Sequence, residues 1–291
     1  MSGPGELNPW LGRRVIAYAH QGGAWEAPSS TLFAVRRAIE IGATGIELDV
    51  HATSDRHLVV CHDSTVDRTT DGHGQIHSLT LEELRSLDNA HWFVPGGDER
   101  QDQEPGAYPY RGRAPAARDF RVATLEEVLE IADEHPEVAF NFDIKATAPT
   151  VEPYEELLAR TLRDHGDTDR FIVASFLDVA TEAFSRFAPE IATSAGTLGV
   201  AMFWRALRSG EQMPDTRHRA FQVPATRGEH VVVDEQFVEV AHERAVAVHV
   251  WTVNDEAEMR RLCDIGVVAV ISDLPTTLVG VLEERQLAYR P

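Results

Sequence analysis

Short apolar runs rich in β-branched residues alternate with amphipathic helical stretches along almost all of this chain, and few architectures accept that rhythm. The runs are RVIAYAH (14–20), GIELDV (45–50), VAFNFDIK (138–145), FIVASF (171–176), IATSAG (191–196), AFQVP (220–224), AVAVHVWTVN (245–254) and VVAVISD (267–273). Helical patterns lie between them. One spans Ser30–Ile41, with Leu32, Val35, Ala38 and Ile39 on one face and Gly42 closing it. Another opens on a Thr124–Glu127 capping box and stops at Pro136, and the last carries Pro275 in its first turn. Eight strands, mostly followed by helices, predict an α/β fold, the closed (β/α)8 TIM barrel. An open doubly wound sheet needs no particular count, and its Gly-rich phosphate turn is missing here.

HLVVCHD (57–63) stands outside the rhythm. Seven residues separate Val50 from Leu58, too few for a parallel crossover, so the run is expected to return as a hairpin through Ser54-Asp55-Arg56. A turn centred between Asp55 and Arg56 places Asp49 across from His62. The whole chain, 1–291, is read as one barrel domain, a length this fold accommodates. Residues 64–121 are read as an insertion over the active-site mouth. They hold a short helix with a second capping box, Thr80 and Glu83, followed by a stretch rich in Gly, Pro and charge.

Lys plus Arg number 27 against 47 Asp plus Glu, a net charge of −20. That field repels nucleic acid and anionic membrane surfaces, and an anionic substrate then needs a bound cation to reverse the local sign. Cys61 and Cys263 form no CxxC pair. The opening MSGPGELNPWLGRR lacks the apolar core of a signal peptide, and no run reaches the ~18 apolar residues of a membrane span. A cytoplasmic protein without stable membrane insertion is expected.

Polar residues interrupt the buried strands at their ends. His20 ends the first run, Glu47 and Asp49 share one face of the second, and His62 ends the hairpin arm beside Asp63. Asp143 and Lys145 end NFDIK. A barrel gathers such ends on its C-terminal rim, where its active sites lie. A single histidine or carboxylate at a strand end is more often structural, and His51, His57, His73, His77, His91, His165, His242 and His249 mostly read that way. Three carboxylates converging with two histidines and a lysine need a cation, since buried unpaired carboxylates cost several kcal/mol each. Oxygen-only ligands favour Mg²⁺ or Ca²⁺ over zinc. Such a site suits phosphate-ester cleavage: Lys145 and the ion face the phosphoryl oxygens, one histidine removes a proton, and the other protonates the leaving oxygen.

At these residues the chain resembles the glycerophosphodiester phosphodiesterase family of (β/α)8-barrel enzymes. The resemblance runs through AHQGG (19–23) and EAPSSTLFAVRRAIEIGATGIELDVHATSDRHLVVCHDSTVDRTTDGHG (26–74), then NFDIK, VASF (173–176), VWTVND (250–255) and GVVAVISDLP (266–275). It implies His20 and His62 as general acid and base, and Glu47, Asp49 and Asp143 as metal ligands. It also implies Lys145 on the phosphate, Trp251 near the alcohol moiety, and an insertion after the second histidine that bears on head-group choice. Gln21 stands where the family's arginine contacts phosphate, and an uncharged amide cannot supply a bidentate charge. Pro28-Ser29-Ser30-Thr31 replaces Pro-Glu-Asn-Thr, with Glu26 three residues earlier as a candidate substitute. Asp143 replaces a glutamate and is one methylene shorter.

The paired loss of one cation and one anion leaves the net site charge unchanged, so a working site is expected. The substrate is then a small glycerophosphodiester. A lysophospholipid is the alternative, which needs an apolar groove such as His91-Trp92-Phe93 with Met202-Phe203-Trp204, although helical spacing suits those aromatics to packing. A phosphoester-binding module without turnover is the second alternative.

Overall fold

The computed structural model describes residues 8–145 and 154–289. The opening heptapeptide and Pro153, which the sequence pattern sets at the start of a helix, lie outside them. Strands and helices follow in the order β1 (Ile16–His20), α1 (Leu32–Glu40), β2 (Gly45–Ala52), β3 (Leu58–Val60), α2 (Leu81–Arg85), α3 (Leu125–Glu134) and β4 (Ala139–Ile144). Next come α4 (Tyr154–His165), β5 (Phe171–Ala174), α5 (Asp178–Phe187), β6 (Ala192–Ala195), α6 (Thr197–Ser209) and β7 (Ala220–Pro224). The chain continues through β8 (Thr226–Arg227), β9 (His230–Val231), α7 (Glu235–Glu243), β10 (Ala247–Trp251), α8 (Glu256–Asp264), β11 (Ala269–Ser272) and α9 (Pro275–Glu284).

The main sheet runs β1-β11-β10-β7-β6-β5-β4-β2-β3, and β1 also pairs with β2, which closes it. Every barrel pairing is parallel, and β3 alone joins antiparallel, to the outside of the ring. This is the (β/α)8 TIM barrel expected from the strand–helix rhythm. Inside the ring, Ile16, Tyr18, Ala139, Ile172, Ala220, Ala247, Ala269 and Ile271 form one apolar cluster, and Trp10 from the 3-10 turn Pro9–Gly12 joins it. Between strands and helices two further layers form, one on β2, β4 and β5 and one on β7, β10 and β11.

Local chemistry sets the element ends. Both expected capping boxes form, Thr80 with Glu83 and Thr124 with Glu127. Helix α1 starts at Leu32, later than the apolar pattern suggests, because Thr31 is its N-cap and accepts from the Ala34 N–H. The hairpin differs from expectation by one residue. Thr53 and His57 close a three-residue loop whose last member, Arg56, is left-handed (φ 68°), so the loop centre falls on Asp55 itself. Val50 therefore pairs with Val60, the residue across from Asp49 is Cys61, and His62 lies one step beyond. The short hairpin β8–β9 was not foreseen; its two-residue strands carry no apolar alternation to detect.

His249 sits fully buried on the inner face of β10, with Trp10 and Tyr18 ring centroids 6.0 and 5.8 Å away and neither ring nitrogen hydrogen-bonded among the described residues. Burial, then the Arg13 charge, lowers its pKa to about 3. The unfolded chain thus binds a proton below pH ~6.5 that the folded chain refuses, so stability falls as pH falls through that window. The change from pH 7 to pH 5 amounts to about 2 kcal/mol for this one group. His249→Phe is expected to lose that much of the pH dependence in denaturant titrations; identical slopes for both proteins would refute the assignment.

Candidate active site

Strand register decides which side chains meet. His20 is level with Glu47, Glu47 with Asn141, and Asp49 with Asp143 on three adjacent strands about 4.8 Å apart. Residues two apart share a face, so Glu47 and Asp49, Asn141 and Asp143 all project into the barrel mouth. The resulting cleft of about 140 Å³ is lined by His20, Glu47, Asp49, His62, Asp143, Lys145 and Trp251, with Phe176, Asn141 and Gln222 among its other walls. His62 reaches it despite the shifted hairpin, because it follows the last paired residue and is free of the ladder.

Single ligand atoms of Glu47, Asp49 and Asp143 lie within 4.8 Å of one another, a cluster able to hold a metal ion. Lys145 Nζ stands 2.7 Å from Asp143 Oδ2 and 2.8 Å from Asp49 Oδ1. Asp49, a side chain only 1% exposed, is thus ion-paired through Oδ1, while its Oδ2 has no hydrogen-bond partner among the described residues. A buried carboxylate with one oxygen left unpartnered is what a hard cation satisfies. Charge crowding shows in the titration behaviour. Burial, with the Asp49 charge added, raises the Glu47 pKa to about 8. Burial also raises Asp143 against the pull of Lys145. At Asp49 burial is outweighed by Lys145, His62 and His20, and its pKa is lowered.

Both histidines are held from behind. His20 Nδ1 is 2.6 Å from Asp273 Oδ1, and His62 Nδ1 is 2.7 Å from Asp63 Oδ1. A carboxylate only accepts, so each Nδ1 carries a proton and each Nε2 is turned away from that carboxylate. Asn254 Nδ2 in turn donates to Asp273 Oδ2 at 2.7 Å. Burial works against the imidazolium of His20, but Asp273, Glu47 and Asp49 prevail and raise its pKa to about 9. The two rings stand edge to face with centroids 5.9 Å apart.

The residues singled out as departures from the family pattern have definite positions. Gln21 adopts φ 52°, donates its backbone N–H to Glu47 Oε2 at 3.2 Å and sets Nε2 3.3 Å from His20 Nε2. Its side chain is buried behind the cleft and is not among the cleft's lining, so it touches two site residues from the wall. The glycines after it are required: a Cβ on Gly22 would meet Ala34 Cβ at 2.8 Å, and both Gly22 and Gly23 have positive φ. Glu26 does not approach the carboxylate cluster; it is engaged by Arg37 at 2.9 Å and by Thr276. The carboxylate beside Ser29 is instead Glu99, which accepts from the Ser29 hydroxyl at 3.0 Å. Of the aromatics considered for an apolar groove, Phe93 and Phe203 are buried, and Trp92 packs against Tyr108 and Arg111.

Asp273 and Asn254 were not foreseen. Asp273 closes VVAVISD as Asp143 and His20 close their strands, and that shared strand-end placement was the available signal.

Hydrolysis of a phosphoric diester asks for proton transfer on both sides of a phosphorus atom whose oxygens face positive charge, and this barrel is an enzyme of that class, a phosphoric diester hydrolase. Residues 20–277 match the model of the glycerophosphoryl diester phosphodiesterase family, and the chain belongs to that family. It is 29% identical over 273 residues to the glycerophosphodiester phosphodiesterase of Caldanaerobacter subterraneus subsp. tengcongensis, covering 93% of this chain and 99% of that one. It is 53% identical over 135 residues to human glycerophosphodiester phosphodiesterase 1, covering 46% of this chain and 35% of that one. An Oleispira antarctica phosphodiesterase in complex with the product sn-glycerol-3-phosphate superposes with TM-score 0.68 at 24% identity, covering 93% and 96% of the two chains. The glycerophosphoryl diester phosphodiesterase domain of a Mycobacterium tuberculosis protein gives TM-score 0.75 at 21% identity, covering 93% and 98%. No helix among the described residues is long and apolar enough to cross a membrane.

Proposed function

We propose that the chain hydrolyses a glycerophosphodiester to an alcohol and glycerol 3-phosphate, with His20 and His62 moving the protons and Glu47, Asp49 and Asp143 holding a divalent ion. The observation that carries this reading is the pair of carboxylate-oriented imidazoles set over a cluster of three carboxylates, with Asp49 Oδ2 left without a hydrogen-bond partner among the described residues. One imidazole Nε2 takes the proton of a water as its oxygen bonds to phosphorus. The other gives its proton to the alcohol oxygen as the second phosphorus–oxygen bond breaks. Lys145 balances the phosphoryl oxygens from one side, and Trp251 with Phe176, at 5.4 Å between rings, offers an apolar wall to the alcohol. Gln21 steadies Glu47 through its backbone N–H and supplies no charge. An ion on the three carboxylates adds the charge that the missing arginine does not, and an oxygen-only ligand set selects Mg²⁺ or Ca²⁺.

Residues 64–121 form the cover over one side of the mouth in this reading. They are tied to the loop after β1 by the Gly96 N–H on the Trp25 carbonyl (2.7 Å), Trp25 Nε1 on Asp98 (3.0 Å) and Ser29 on Glu99. The lysophospholipid alternative draws on an apolar lip on the other side. Phe176 is 53% and Leu198 64% exposed, with Leu177, Val179 and Met202 exposed beside them. The Asp178 carboxylate, accepting from the Leu198 and Gly199 N–H groups at 2.9 Å, holds this lip together.

Glycerol 3-phosphate release from glycerophosphocholine and glycerophosphoethanolamine, with EDTA or with added Mg²⁺ or Ca²⁺, is the deciding assay. Release abolished by EDTA and restored by one ion is expected. Turnover of lysophosphatidylcholine alone would favour the lip reading, and binding of both substrate types without turnover would make the chain a phosphoester-binding module.

A further inference from the structure

The carboxylate behind His62 is itself held, and the hold comes from a distant part of the chain. Asp63 is gripped by Arg68 in a two-point fork, Nε to Oδ2 at 2.8 Å and Nη2 to Oδ1 at 3.2 Å. The remaining guanidinium nitrogen, Nη1, pairs with Glu99 Oε2. Glu99 Oε1 accepts from Ser29 Oγ, so both oxygens of this carboxylate are occupied. Glu99 comes from a stretch rich in Gly, Pro and charge, GGDERQDQEPG, whose other acidic members Asp98, Asp102 and Glu104 are exposed, yet its side chain is only 4% exposed. A carboxylate is not drawn into so dry a position without a partner, and the partner here is the cation that orients Asp63.

We infer that Glu99 is a positioning residue for His62, acting through Arg68 and Asp63. An arginine side chain has many rotamers, and a single fork to Asp63 leaves the guanidinium free to swing with its partner. A second carboxylate on the opposite nitrogen pins the plane, so Asp63 Oδ1 stays where it meets both Arg68 Nη2 and His62 Nδ1. The imidazole is then fixed in both tautomer and direction before substrate arrives, which is what support behind a reacting group supplies. Arg68 and Glu99, 31 positions apart in the chain, are thereby coupled to proton transfer without touching the substrate.

This inference rests on His62 being one of the two proton carriers, and the test separates the two claims. Glu99→Gln keeps shape and the acceptor for Ser29 while removing the charge. On glycerophosphocholine it is expected to lower kcat about tenfold with KM and the divalent-ion titration unchanged, the lower range for groups that orient a functional side chain from behind. Arg68→Gln should lose at least as much, and the double variant no more than Arg68→Gln alone, because the residues act as one unit. A melting temperature near wild type with a reduced kcat excludes a purely structural role. Wild-type kcat in Glu99→Gln, a raised KM with kcat intact, or additive losses in the double variant would each overturn the inference. Should Glu99→Gln not fold, Arg68→Lys keeps the charge and loses the fork; reduced kcat with unchanged KM supports the proposal, and wild-type kcat refutes it. His62→Ala is measured in parallel: if it stays active the role of His62 falls, whereas an inactive His62→Ala beside a fully active Glu99→Gln removes Glu99 alone.

Discussion

Replacing His20 by alanine is expected to reduce kcat on a glycerophosphodiester by about 10²–10⁴-fold, the range general acid–base groups contribute. The loss should come without unfolding. His20 is the last residue of β1 and lies at the rim, so truncating it removes no core packing. Its partner is only half stranded: Asp273 Oδ1 loses the imidazole, but Oδ2 keeps the Asn254 amide and the backbone N–H stays on Asn254 Oδ1 at 2.9 Å. The pair of measurements is kcat and thermal melting on the same preparation. Activity within tenfold of wild type would take His20 out of the chemistry. A collapsed melt would make the His20–Asp273 bond a clamp between the first and last barrel strands.

Asp49→Asn should weaken divalent-ion affinity by at least ~100-fold, since even groups behind a metal ligand cost 10–100-fold. The direction of its effect on the metal-free protein is the sharper discriminator. Asp49 is buried among Glu47 and Asp143, and its charge is one of the causes that raise Glu47. Neutralising it eases that crowding but removes the ion pair with Lys145 at 2.8 Å, and the lowered Asp49 pKa means that the folded site favours its charge. Metal-free Asp49→Asn is therefore expected to melt below the wild-type temperature at neutral pH. An unaltered ion titration by calorimetry would contradict the ligand role. A melting temperature at or above wild type would show that relief of the carboxylate crowding outweighs the Asp49–Lys145 pair.

Sequence periodicity carried most of the fold because each barrel strand is buried on both faces and each helix on one, so both burial patterns are written along the chain. The polar strand ends stood out for the same reason: Glu47, Asp49 and Asp143 are anomalies against an apolar background, and His20 marks the end of one. What stayed hidden depends on three-dimensional detail. The hairpin register turned on the left-handed conformation of Arg56, which no residue type announces, since arginine rarely adopts it. Asp273 was legible by position, but its service to His20 depends on ring closure that brings residues 253 apart into contact. Glu99 lay in a stretch whose composition reads as solvent-exposed, and only the folded chain buries it against Arg68. Ser29 likewise looked like a deficit until the carboxylate beside it proved to come from elsewhere.

The barrel is sealed by β1 lying between β2 and β11, and His20 takes its orienting carboxylate from the residue just after β11. The carboxylate cluster is supplied by β2 and β4 alone, but the ring cannot shut, nor His20 be set, without residues 267–273. A chain cut short before β11 would therefore carry those carboxylates without the one that orients His20. Closure of the ring and orientation of His20 thus arrive together, with one strand.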